Sequence, residues 1–178
     1  MAVPDGIDPA TRYNTVARTL HAVIAVLVIT NATLGLLHDA LEKIFNVMAL
    51  HKSIGLTVLG LTVLRILWRF TWTTPPYNPP IARWERVTAK TVHTIFYVLL
   101  LAIPLTGFTM ASASPRGVQW FGIPVPTFDV ERDTPVWEAA HEGHEIMAFM
   151  AIALIALHVG AALRHHFVLK DGVLRRMW

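Results

Sequence analysis

The chain has 178 residues, 54% of them hydrophobic and only 15% charged, with a mean hydropathy of +0.49. That balance excludes an ordinary soluble domain, and the net charge of +3 is carried by Arg and Lys at the ends of apolar runs, which argues for orientation in a bilayer and against nucleic-acid binding. The absence of cysteine excludes disulfides, thiolate chemistry, iron–sulfur clusters and haem attachment through Cys-x-x-Cys-His.

In chain order, residues 1–11 are polar, read as a flexible tail, and lack the basic patch and short apolar core of a signal peptide. Residues 12–178 read as one domain with four apolar runs, about 18–37, 47–69, 92–111 and 137–166. Each is long enough to cross a hydrocarbon core that needs ~20 helical residues. Each is also apolar around most of its circumference, which helices of soluble bundles avoid. The expected fold is therefore all-α, an integral membrane four-helix bundle in a lipid bilayer.

The first run carries His21, Ala25, Val28, Ala32 and Gly35 at helical spacing, and the second carries His51, Gly55, Val58, Thr62 and Arg65. The second ends in Arg65, Trp68, Arg69 and Trp72, an interfacial mixture of aromatic and basic residues. Four prolines exclude helix from TTPPYNPP, residues 73–80. The segment RWERVTAK then leads into the third run, where Pro104 and Gly107 predict a kink. Residues 112–135 read as a long loop with acidic Asp129, Glu131 and Asp133, and with Trp120 and Phe121 at the membrane surface. Arg and Lys concentrate at the N-terminus, the second loop and the C-terminus, which places both termini in the cytoplasm by the positive-inside rule.

With that topology His21 and His158 fall at one depth and His51 and His144 at another. His144 and His158 are fourteen residues apart, so they share one face of the last helix ~21 Å apart along its axis, with Ala148, Ala151 and Ile155 between them. A histidine in an apolar helix can simply bond a backbone carbonyl. Two on one small-residue face, each matched in depth by a histidine from another helix, point to ligation. A six-coordinate haem iron takes one axial ligand from each side of the ring, so these four are the minimum set for two b haems, paired His21–His158 and His51–His144. His141 is turned away from that face and reads as solvated, His38 as interfacial and His166 as facing the headgroups. His93 and His165 read either as snorkelling polar residues or as a proton-handling pair at a quinone site. Arg65 and Arg69 could bind haem propionates or mark the boundary, and Lys52 could attract a small anion.

The segments RYNTVARTLHAVIAVLV, LHKSIGLTVLGLTVLRILWR, TTPP, HTIFYVLLLAIPLTGF, WFGIPVP and HVGAALRHHFVLKDGVLRRM, in that order, resemble the bacterial cytochrome b561 family. They are most similar to its superoxide-oxidising branch. The resemblance implies a bacterial inner-membrane protein with two haem b groups ligated at His21, His51, His144 and His158, and a quinone site bordered by His93 and His165. It also implies electron transfer from superoxide to ubiquinone, an oxidoreductase activity. WEAAHEGH, which adds His141 beside His144, is a departure from the relatives' pattern; the fourteen-residue spacing selects His144. Two other classes make different demands on the residues. A membrane anchor for a partner dehydrogenase or hydrogenase would dock through residues 112–135. A divalent-metal transporter is disfavoured because no Asp or Glu lies near the middle of a run, where transport sites recruit carboxylates.

Overall fold

Asn14 opens the first helix. Its side-chain oxygen accepts the Ala17 N–H at 2.8 Å, and α1 then runs Thr15–Leu36. In the computed structural model residues 12–76 and 81–177 are described, so the expected tail at 1–11 and part of the proline-rich turn lie outside the described residues. A one-turn helix, α2 (His38–Leu41), leads to α3 (Val47–Arg69). Two acceptors open α3: Asn46 Oδ1 takes the Ala49 N–H at 3.0 Å, and Glu42 Oε2 takes the Val47 N–H at 3.1 Å.

The third long helix, α4, spans Arg83–Ser112 and so begins well before residue 92. Apolarity marks only the part of a helix that meets lipid, whereas RWERVTAK is a polar first stretch of the same helix. It is closed by Glu85, whose carboxylate accepts the Ala82 N–H at 3.3 Å. α4 continues through Pro104, where the Thr106 hydroxyl reaches the carbonyls of Ala102 and Ile103 at 3.0 and 2.9 Å. The last long helix, α5 (Pro135–Arg164), starts two residues before 137, with Thr134 as cap and proline at its first position. A single π-turn, His165–Leu169, and a short 3₁₀ turn, Leu174–Arg176, complete the chain.

Within the stretch read as a loop, residues 118–120 (β1) and 123–125 (β2) pair antiparallel, Val118 opposite Val125. Phe121 and Gly122, both with positive φ, form the two-residue turn that suits a right-twisted hairpin. The hairpin is fastened to α3 by Ser53, whose hydroxyl accepts the Phe121 N–H at 3.0 Å, and by Thr57, which accepts the Trp120 indole N–H at 3.0 Å.

The four long helices all satisfy the length and hydropathy of membrane spans. Packing is extensive between α1 and α3, α3 and α4, and α4 and α5, whereas α5 makes little contact with α1 or α3. The buried cluster of Leu34, Val47, Ile54 and Val58 joins α1 to α3. Most other apolar side chains point outward, Val26 at 64% and Leu157 at 70% exposure among them, as lipid contact requires. The first and last described segments meet at one end of the bundle, the termini end. There the Tyr13 N–H donates to the Arg176 carbonyl at 3.0 Å, and Arg176, 5% exposed, donates to the Pro75 carbonyl. The hairpin lies at the opposite end.

Replacing Ser53 with Ala leaves the Phe121 N–H without its partner, a loss of about 1 kcal/mol at the docked hairpin. Trypsin should then cut after Arg116 and Arg132 several-fold faster than in wild type, with the helical circular dichroism unchanged.

Candidate functional site

Two histidines of α5 each face one from another helix. His158 and His21 of α1 have ring centroids 6.4 Å apart, and His144 and His51 of α3 are 6.2 Å apart. Both pairs bridge helices that make little direct contact, so the rings reach towards each other across a gap flanked by the packed pairs α1–α3 and α4–α5.

The pair at the hairpin end is held by main-chain acceptors. His51 Nδ1 lies 3.1 Å from the Asn31 carbonyl of α1, and His144 Nδ1 lies 2.9 Å from the Ile103 carbonyl of α4. A carbonyl only accepts, so each neutral ring carries its proton on Nδ1 and presents the Nε2 lone pair to the other side. Glycine makes room for both rings. A Cβ at Gly107 would stand 2.9 Å from His144 Cε1, and one at Gly35 would stand 3.2 Å from His51 Cε1.

The pair at the termini end has different company. His93 of α4 lies 5.5 Å from His158, and Phe96 meets the same ring edge-on at 5.5 Å. Arg65 is near enough to act electrostatically on His21, His93 and His158 alike, and it makes no hydrogen bond or ion pair among the described residues. Arg18, one turn before His21, has a buried Nε with no partner. Arg69 is otherwise engaged, donating to the Trp72 carbonyl at 3.2 Å and stacking over that indole. His165 contacts Asp171, while His93 contacts His158, so the two histidines read as a possible pair each have another neighbour. His141 is exposed and stacked on Trp137 at 5.1 Å. His38 is bonded locally, to the Gly35 carbonyl and to Asp39, and His166 lies edge-on to Phe167.

Residues 12–178 match the family model of prokaryotic cytochrome b561. The chain belongs to the prokaryotic cytochrome b561 family. It is 30% identical to cytochrome b561 homolog 2 of Escherichia coli over 93% of this chain and 90% of that protein. It is also 33% identical to the probable superoxide oxidase CybB of Yersinia pestis, over 72% of each. Cytochrome b562 of Cereibacter sphaeroides is 30% identical over 93% of this chain and 94% of its own length. As a b561 this is a multi-pass, haem b-binding membrane protein of electron transport.

The residues fit haem b. A metal–imidazole bond of about 2 Å on each side, plus the half-width of each ring, puts two opposed axial imidazoles roughly 6 Å apart between centroids. Both histidine pairs meet that requirement. The fixed Nδ1 protons leave Nε2 as donor atoms towards a metal, and the orphaned Nε of Arg18 and the unpaired Arg65 suit a carboxylate. The carbonyls of Asn31 and Ile103, and the role of Gly107, were not legible from the sequence. Main-chain acceptors carry no residue code, and Gly107 read as a kink residue.

The glycines give a graded test by reconstitution with haemin and absorbance titration. Gly107→Ala should lose about half the bound haem, because its Cβ displaces His144 from the Ile103 carbonyl. Gly35→Ala should weaken binding less, and Gly60→Ala, whose Cβ meets nothing within 4 Å, should bind as wild type.

Proposed function

We propose that this b561 carries electrons across the membrane through two b haems, one ligated by His51 and His144 and the other by His21 and His158, to ubiquinone at the termini end. The observation that carries this reading is the pair of opposed imidazole sets, at opposite ends of one helix and spaced for an iron between each. When bound, a bis-histidine haem supplies a one-electron couple without a free coordination position, so electrons are relayed and no substrate is activated at the metal.

The chain's own residues set the two sites apart. The Asn31 and Ile103 carbonyls hold the imidazoles at the hairpin end and increase their basicity, which favours ferric iron there. Arg65 puts positive charge beside the other pair and favours the reduced form there, and it and the buried Nε of Arg18 offer donors to propionates. Both effects favour electron movement from the hairpin end to the termini end. Arg69, committed to Trp72, reads as a boundary residue.

All but four of the 15 Lys and Arg residues (Lys43, Lys52, Arg116 and Arg132) belong to the termini end, which supports a cytoplasmic position for both termini in the bacterial inner membrane. The donor is then periplasmic. Superoxide is the preferred one: a relative at 33% identity is named a probable superoxide oxidase, and Lys52 follows the ligand His51 directly at the end where the anion would arrive. Two superoxide anions each give up one electron and leave as dioxygen, and one ubiquinone takes two electrons and two protons. His93, in contact with His158, and His165 border the quinone site.

Anaerobic stopped-flow absorbance tests the direction. Superoxide should reduce the haems of the purified protein within the mixing experiment, and added ubiquinone should reoxidise them. Reduction by a quinol but not by superoxide excludes superoxide as donor, and a second polypeptide that co-purifies and reduces the haems favours the anchor-subunit alternative. For the ligands, His144→Ala and His158→Ala should each remove one haem equivalent, whereas His141→Ala should retain both, read by pyridine haemochrome.

A further inference from the structure

Beyond the last turn of α5 the chain takes an irregular path. The helix widens into the π-turn at His165–Leu169, Lys170 adopts a left-handed φ of 52° without being glycine, and Gly172 follows at 76°. A widened turn and a non-glycine left-handed residue are each unfavourable locally, and such features persist where a geometry is needed. Here they fold Asp171 back onto the helix end. Its Oδ2 lies 2.5 Å from His165 Nδ1, and its Oδ1 accepts the Val173 N–H at 3.1 Å. The carboxylate is thus fixed at both oxygens, and the two side chains are only 13% and 16% exposed. His165 follows His158 by seven residues, two helical turns, so it sits on the haem-ligand face of α5 and nearer the membrane surface. Of the adjoining side chains, Arg164 pairs with Glu85 of α4 at 3.5 Å, and His166 packs edge-on to Phe167.

We propose that Asp171 is a positioning residue for quinone reduction, which makes His165 the proton donor to the quinone. The inference rests on the reading that ubiquinone accepts electrons at the termini end. The carboxylate accepts the Nδ1 proton and so fixes the ring's tautomer and orientation, with Nε2 left as the atom that exchanges protons with a ligand. The quinone gains two electrons from the haems. One of its oxygens takes a proton from Nε2 of protonated His165, forming an O–H bond as the N–H bond breaks, and the other takes its proton from water at this face. The neutral imidazole is reloaded from the same aqueous phase, its Nδ1–H staying on the ring and donating to Asp171 throughout.

The test separates proton-coupled from proton-free oxidation of the same haems. Holoprotein is reduced with dithionite under anaerobic conditions and mixed either with a short-chain ubiquinone or with ferricyanide, which takes an electron without a proton. Asp171→Asn should slow oxidation by quinone roughly tenfold to a hundredfold and leave the ferricyanide rate, the haem spectrum and the haem content unchanged. His165→Gln, which keeps Asp171 and its turn, should give the same split, and Asp171→Glu should restore most of the quinone rate. A wild-type quinone rate in Asp171→Asn, or equal slowing with both acceptors, overturns the assignment. If quinone fails to oxidise even the wild-type haems, the acceptor reading itself falls.

Discussion

The structure depends on holding imidazoles in opposition across gaps that the helices do not close themselves. Each pair is drawn from helices that pack elsewhere, so the distance between rings is set by the rigid couples on either side, α1 with α3 and α4 with α5. At the hairpin end that distance is reinforced by two carbonyls and two glycines, one of each on α1 and on α4. In lipid the hydrophobic effect cannot press helices together, so close backbone approach and satisfied polar groups must do so. The same contacts that fix the rings also join the helix couples.

The two ends are built for different tasks. The hairpin end is closed by Ser53 and Thr57 reaching from α3 to β1 and its turn, directly after the sequence His51–Lys52. The termini end sets Arg65 and His93 beside a less constrained couple of rings, and the same end carries the buried Arg18 Nε and the His165–Asp171 pair. On the proposed reading, the hydrogen-bonded hairpin end takes in electrons and the cationic termini end passes them on. Crossing the bilayer also moves that charge through the membrane potential, ~2.3 kcal/mol per 100 mV.

Much of this architecture is legible in the residues because a bilayer imposes simple rules. Apolar length located the spans, and α3 begins and ends where its hydrophobic run does. The fourteen-residue interval in α5 and the depths of His21 and His51 were enough to bring the four imidazoles together in the pairs observed. Other features obey rules the pattern does not carry. α4 extends nine residues upstream because Glu85 caps a polar stretch, and hydropathy is blind to helix outside lipid. The hairpin at 118–125 is too short for periodicity, although Phe121–Gly122 is its turn signal. The carbonyls that orient His51 and His144 have no signature at all. Asp171 read as part of a basic tail because only the left-handed turn at Lys170 returns it to His165.

The most direct measurement of the central claim is the haem stoichiometry of fully loaded protein by pyridine haemochrome, combined with electron paramagnetic resonance of the oxidised state. Two haem b per chain, both low-spin with bis-imidazole signals, is the expected result. One haem per chain, or a high-spin signal in a fully loaded sample, contradicts the assignment of four axial histidines.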